Sequence, residues 1–304
     1  MPLIECIPNF SEGRRQSVID AIITAIASAP VDVLDASSDV DHNRSVVTFV
    51  GEPEAVAEAA YRGIQVAAEH IDLTQHMGVH PRVGAADVVP FVPLRESSLA
   101  ECATLARALG QRVGESLGLP VFLYEAAALV PGRTDLAHIR RGGYAGLRER
   151  MQQPEWQPDF GPGQLGKAGA VVIGARRLLI AFNVYLDTDD EQVARAIAYK
   201  IRASGEGLPL LKAIGVIVGG VAQVSMNLID FRQTSLHAAM STLHAAAAEH
   251  GVQVTRTELI GLIPQTALLD YALASLQLPP TTREQVLETR LGAVTGNYRP
   301  LVFE

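Results

Sequence analysis

The stretch Gly78-Val79-His80-Pro81-Arg82-Val83-Gly84-Ala85-Ala86-Asp87 runs directly into the apolar segment Val88-Val89-Pro90-Phe91-Val92-Pro93. Pro81 excludes the helical region of φ/ψ space for the residue before it, so His80 takes an extended or turn conformation. The segment therefore reads as a loop that feeds a strand over 88–92. It gathers an imidazole, a guanidinium and a carboxylate into one short turn. Loops carried by a rigid scaffold are where catalytic groups concentrate.

Working outward, the strand at 88–92 closes a recognisable order of elements. Upstream, 3–8 reads as a strand and 13–29 as a helix, with Ser11 as its expected N-cap and apolar Val18, Ile19, Ile22, Ile23 and Ile26 at helical spacing. Strands follow at 31–34 and 46–50. An acidic loop holding Asp35, Asp39 and Asp41, then His42-Asn43-Arg44, is expected to join them. Pro53 opens a helix to 71. Downstream, Ser97 or Ser98 caps a helix to 117, and 121–124 is a short strand. Strand, helix, strand, strand, helix, strand is the split βαβ order of a ferredoxin-like unit. The segment 136–150 reads as one loosely attached helix. The segment 152–169 breaks all periodicity with Pro154, Pro158, Gly161, Pro162, Gly163, Gly166 and Gly169, as a linker or a ligand-shaped loop does.

The same order then recurs. A strand or strand pair lies in 170–186, and a helix runs from the acids at 189–191 to 203. Segments 214–218 and 221–226 flank the hairpin signal Gly219-Gly220. A helix from Thr234 or Ser235 to 250, a strand at 252–258 and a helix from Pro264 to 276 complete it. The fold class is α+β: two ferredoxin-like α/β sandwich subdomains, 1–169 and 170–304, with a ligand cleft expected between them.

Composition narrows the function. The chain has 304 residues, is 48% apolar and carries a net charge of −8, which argues against nucleic acid as a partner. An anionic small molecule fits if a few cations are gathered locally. Cys6 and Cys102 are the only cysteines, too few for a disulfide framework. No secretory leader follows Met1. The most apolar stretch, 168–186, has Arg176-Arg177 at its centre, so no membrane partner and a cytoplasmic location are expected.

Among chemistry-bearing residues, His76 and His80 lack a third ligand at metalloprotease spacing, and Gly78 and Pro81 oppose the helix that would align them, so no metal is expected. No G-x-S-x-G, dinucleotide fingerprint or P-loop occurs. General acid–base chemistry by His80 remains, with Asp87, Asp39 or Asp41 to orient the imidazole. Arg44 and Arg82 suit bidentate binding of a carboxylate. Lys167 could meet an anion, and Asn9 and Phe10 could hydrogen-bond and stack a flat ring.

These residues resemble the formiminotransferase (glutamate formimidoyltransferase) family. The matching stretches are Glu5-Cys6-Ile7-Pro8-Asn9-Phe10-Ser11-Glu12-Gly13, Asn43-Arg44-Ser45, Thr48-Phe49-Val50-Gly51, and His80-Pro81-Arg82-Val83-Gly84-Ala85-Ala86-Asp87 with Pro90-Phe91-Val92-Pro93. Further on come Trp156 with Pro158-Asp159-Phe160-Gly161-Pro162, Gly174-Ala175-Arg176, Ile180-Ala181-Phe182-Asn183, Ala222-Gln223-Val224-Ser225-Met226-Asn227-Leu228 and Glu258-Leu259-Ile260-Gly261-Leu262-Ile263-Pro264. The resemblance implies transfer of a formimino group from N-formimino-L-glutamate to N5 of the co-substrate tetrahydrofolate, with His80 as catalytic acid–base. It implies that the Gly/Pro loop from about Gly161 to Gly169, with Gly161, Pro162, Gly163, Lys167 and Gly169, contributes to the folate site; Asn9, Phe10, Asn43, Arg44, Arg82 and Asp87 are the other residues expected to bind substrate. It also implies a homodimer without the cyclodeaminase domain of animal members, so that a separate cyclodeaminase acts downstream. Transfer of a formyl group in the same site, from N-formylglutamate or on 5-formyltetrahydrofolate, and a non-catalytic folate-binding protein are the alternatives.

Overall fold

The structure, a computed structural model, describes residues 1–78 and 81–296. The chain divides into two compact units between Arg177 and Leu178.

The first unit begins with β1 (Ile4–Cys6) and β2 (Asn9–Phe10), two pieces of one strand line interrupted at Ile7-Pro8. Then come α1 (Gln16–Ala27), β3 (Asp32–Asp39), β4 (Arg44–Gly51), α2 (Pro53–His70), β5 (Ala86–Pro93), α3 (Leu99–Leu117) and β6 (Val121–Glu125). Two short helices, α4 (Leu136–Arg140) and α5 (Gly143–Arg150), lead to β7 (Val171–Ala175). The β1–β2 line lies between β4 and β5, antiparallel to both, and β3 flanks β4. This is the ferredoxin-like arrangement, extended on the β5 side by parallel β7 and β6. Because β7 is inserted between β5 and β6, it belongs to this sheet, and the unit ends later than the expected break at 169/170.

Alternation along the strands sorts the two faces. Ile4, Cys6, Phe10, Phe49, Phe91 and Ile173 face one core with Ile22, Ile26, Val56, Ile64 and Val113 of the long helices. Phe122, Tyr124 and Val172 face a second core with Ile139, Leu147 and Met151. The expected loose helix at 136–150 is therefore two anchored helices, broken where Gly142 takes φ 75. Three other local expectations change. The acids Asp35 and Asp39 lie within edge strand β3, not in a loop. Ser11 does not cap α1: its hydroxyl donates to the carbonyl of Gly84, and Glu12 Oε1 accepts the N–H groups of Arg14 and Arg15 instead. Of the two serines, Ser98 caps α3 with Glu101 in a capping box, while Ser97 Oγ bonds the carbonyl of Leu3.

The second unit contains β8 (Ile180–Leu186), α6 (Glu191–Ile201), β9 (Leu211–Val218), β10 (Val221–Leu228), α7 (Leu236–Glu249), β11 (Val254–Ile260), α8 (Gln265–Ser275) and α9 (Leu287–Thr295). Its sheet order, β11-β8-β10-β9, is the same wiring again. Asp190 and Ser235 cap α6 and α7 through their side chains.

One buried acid stands in the centre of the first sheet. Glu5 lies between Val50 and Val92, is buried, and leaves Oε2 without a hydrogen-bond partner among the described residues. Burial pushes its pKa up from 4.5 to about 7, against the favourable charge of Arg176. Between those two values the unfolded chain has lost the proton while the folded protein keeps it. Stability therefore falls as pH rises through that window, by ~3 kcal/mol in all. Glu5→Gln, neutral throughout, is expected to melt higher than the parent at pH 8 and close to it at pH 4. Equal melting temperatures at pH 8 would contradict this reading.

Candidate active site

The loop between α2 and β5 is held by the residue that ends its quoted motif. Asp87 Oδ1 accepts the N–H of Val83 at 2.7 Å and that of Gly84 at 3.3 Å. Its Oδ2 pairs with Nη2 of Arg140 on α4, and both side chains are largely buried. From the other side, the N–H of Ser11 donates to the carbonyl of Ala85 at 2.8 Å. Ala85 in turn donates to Ala168, and Ala170 to Val83, so the end of the Gly/Pro loop is laced to the same turn. The approach is so close that a Cβ on Gly84 would stand 1.8 Å from the carbonyl oxygen of Ala170, which only glycine avoids.

Asn43 ties a third segment in. It takes φ 48, accepts the N–H of Gly13 on Oδ1 at 2.9 Å and donates from Nδ2 to the carbonyl of Met77 at 3.0 Å. Arg82 donates to the carbonyl of Gly78 and to Nδ1 of His76. Burial and the Arg82 charge hold His76 below the usual histidine range, so it stays neutral and accepts that bond. Arg82, His76 and Gly78 border an open cavity of about 380 Å³ that Gly143 and Tyr144 at the start of α5 also line. Tyr144 donates to the carbonyl of Gly166, again joining the Gly/Pro loop.

Arg44 is the exception to this pairing. It is partly buried at the start of β4, and its guanidinium makes no hydrogen bond or ion pair among the described residues. Burial, then the charge of Arg140, pull its pKa down to about 10 against the opposing pull of Asp87 and Asp39. The fold thus disfavours this cation, yet at neutral pH it remains charged. Beside Arg82 and Asp87 it borders a small pocket with Asn9, Ser11 and Asn43. A chain of net charge −8 has gathered three guanidiniums here, and only Arg140 among them makes an ion pair with a carboxylate among the described residues. An external anion completes such an arrangement.

Family models match both units. The N-terminal subdomain of the formiminotransferase domain matches residues 3–176, and the formiminotransferase domain matches residues 181–278. The chain belongs to the formiminotransferase family. It is 46% identical over 296 residues to a protein of Thermoplasma acidophilum named glutamate formimidoyltransferase, covering 96% of this chain and 98% of that one. A Streptococcus pyogenes protein of the same name is 44% identical, covering 95% and 98%. A mouse protein named formimidoyltransferase-cyclodeaminase is 46% identical over 280 residues, covering 89% of this chain and 52% of that protein.

The formiminotransferase motifs of the first unit converge on this place. Asn9, Phe10, Asn43, Arg44, Arg82 and Asp87 border one pocket. His80 lies outside the described residues. Two of these residues have different duties from those expected. The ring of Phe10 is 1% exposed and packs in the core, so it does not stack a ligand. Asn9 lies in β2 and donates from its side-chain amide to the carbonyl of Ile7 at 3.0 Å. Along the Gly/Pro loop, Lys167 accepts the N–H of Leu73 on its carbonyl, and Gly169 forms a bridge with Gly84 in the turn before β5. Gly161 approaches Leu119 and Gly114, and Gly163 approaches Gln157, at the β6 end of the same loop. With Pro162 between them, these three lie midway along 152–169, where Gly161 meets the residues just before β6. Sequence reasoning missed Arg140. Its signal is weak, because its partner is far away in the chain and its own helix is short. Also missed were Tyr144 and Gly143.

If Arg44 is reserved for an anion, its removal separates binding from stability. Arg44→Met is expected to leave the melting temperature unchanged or higher, since it deletes an uncompensated cation. The same variant should weaken binding of L-glutamate by about tenfold or more, as loss of a charged hydrogen bond does. A destabilised variant with undiminished glutamate affinity, measured calorimetrically, would contradict the assignment.

Proposed function

We propose that the chain transfers the formimino group of N-formimino-L-glutamate to N5 of tetrahydrofolate, releasing L-glutamate and 5-formiminotetrahydrofolate. The observation that supports this reading is the Arg44 guanidinium, unpaired among the described residues, which borders one pocket with Arg82 and Asp87, both, like Arg44, in stretches that match the family. Both substrates bear carboxylates, so local cations in an acidic chain have a clear use.

The chemistry needs a proton carrier more than a strong nucleophile. N5 of tetrahydrofolate attacks the formimino carbon, and a tetrahedral intermediate forms. The proton on N5 must leave, and the nitrogen of glutamate must gain one as its bond to that carbon breaks. A single imidazole with a reference pKa near 6.5 can take the first proton and return it to the departing nitrogen. We assign that role to His80. Asp87 fixes the turn that follows His80, and Arg44 and Arg82 bind the carboxylates of the donor. Holding donor and acceptor together contributes through proximity. No metal takes part in this scheme.

The reading extends to a cytoplasmic homodimer. No described helix is long and apolar enough to cross a membrane. The exposed side chains of Leu268 on α8, Leu276 at its C-cap and Leu287 on α9 are the apolar contacts we assign to a second copy.

The test is steady-state transfer with formiminoglutamate and tetrahydrofolate, followed at the absorbance of the methenyl product after acid treatment. The parent chain is expected to turn over. His80→Ala is expected to lose a factor on the order of 10² or more in kcat with tetrahydrofolate binding largely retained. An inactive parent would refute the activity, and unchanged turnover in His80→Ala would refute the mechanism.

A further inference from the structure

Arg82 is aimed by a side chain that the proposed chemistry has not used. Among the described residues Arg82 alone borders both the open cavity and the small pocket that holds Arg44, so the direction of its guanidinium decides where its charge falls. Its Nη2 donates to the carbonyl of Gly78, and its Nη1 donates to Nδ1 of His76. The backbone leaves room for this pose. A Cβ on Gly78 would stand 2.5 Å from the carbonyl oxygen of His42 and 2.7 Å from Nη1 of Arg82. The segment that carries His76 is fixed on both sides. The N–H of Leu73 donates to the carbonyl of Lys167 at 2.7 Å, and the carbonyl of Met77 accepts from Asn43 Nδ2 at 3.0 Å. The ring of His76 also bonds the backbone of Ser11 and Asn43.

A guanidinium has donors and no acceptor, so Nδ1 of His76 must keep its lone pair to receive it. The contact therefore requires a neutral imidazole. A carboxylate in the same place would hold Arg82 as firmly but would cancel its charge. An imidazole holds it and leaves the charge free for a ligand. A second proton on the ring would remove the acceptor and set two cations face to face. Burial and the Arg82 charge oppose that proton, and the carboxylate of Glu12 in the turn before α1 favours it. Arg82 in turn feels the charge of Asp87, which supports its own, and that of Arg14, which opposes it. From the β3–β4 turn, His42 borders the same pocket and pairs with Asp39.

We propose that His76 is the positioning residue for Arg82: the neutral ring holds the guanidinium ready for a carboxylate of the donor, and the protonated ring releases it. This role rests on the reading above, in which Arg82 binds the donor. Acid supplies the proton, so donor binding weakens as pH falls below the usual histidine range.

The experiment is calorimetric titration of the full chain with L-glutamate at pH 8 and at pH 5. The proteins are the parent, His76→Asn, His76→Leu, Arg82→Met and the variant that combines His76→Leu with Arg82→Met. Asparagine keeps an acceptor at the place of Nδ1 and does not titrate. His76→Asn is expected to bind within about twofold of the parent at pH 8 and about threefold or more tighter than the parent at pH 5. His76→Leu is expected to weaken binding about tenfold at pH 8, and to cost nothing further once Arg82 is methionine, because the two side chains act as one unit. Parent-like binding by His76→Leu, a loss that persists in full beside Arg82→Met, or coincident pH profiles for the parent and His76→Asn overturns the proposal. If Arg82→Met alone still weakens L-glutamate in that event, the donor reading stands. A parent chain that binds no L-glutamate refutes the donor reading and the positioning role together. Should the melting curve show His76→Leu unfolded, the pH comparison of the parent with His76→Asn decides.

Discussion

A single carboxylate organises the first subdomain's loops. Asp87 spends one oxygen on the N–H groups of Val83 and Gly84 and the other on Arg140. That leaves a turn whose backbone donors are satisfied, on the rigid end of a central strand. It also occupies one guanidinium of the local three. Arg82 is oriented by neutral His76 and the carbonyl of Gly78, neither of which cancels its charge. The Arg44 guanidinium makes no hydrogen bond or ion pair among the described residues. The electrostatics of the pocket follow from this division: one anion supplied from within, and more positive charge than it can neutralise.

In each subdomain, taken by itself, the sheet has an apolar face against long helices and a face that departs from ordinary core composition. The first sheet buries Glu5 and Thr48, and the second buries Asn183 and Gln223. Glu5, Thr48 and Gln223 each leave a polar atom unpartnered among the described residues. Unpaired polar atoms at these depths weaken a fold, so their presence points to use rather than to stability. The apolar face of the first sheet, by contrast, is rich in β-branched and aromatic residues and packs on the long helices of that unit.

Much of this was legible in the sequence because it depends on local pattern. Helical spacing in Val18 to Ile26, the β-branched run from Val46 to Val50 and the Gly219-Gly220 turn each declare an element without reference to the rest of the chain. The repeated order of those elements gives the wiring of both sheets. Readings failed where a partner far along the chain decides. Ser11 has the chemistry of a helix cap, but the carbonyl of Gly84 takes its hydroxyl. Phe10 looks available to a ring, but α2 packs against it across a residue with no side chain, Gly63. The acids of β3 suggested a loop because an exposed edge strand needs no apolar alternation. Arg140 lies in a segment with weak periodicity, and only the folded chain brings it to Asp87.

The central claim is a division of labour, with the guanidiniums binding the donor and His80 moving protons. Single-turnover transfer from carbon-labelled formiminoglutamate, at donor concentrations high enough to saturate every variant, separates the two directly. The account predicts that Arg44→Met regains nearly the parent rate of label transfer under saturation, while His80→Ala stays slow at every concentration. Equal loss of rate in both variants at saturation would contradict it.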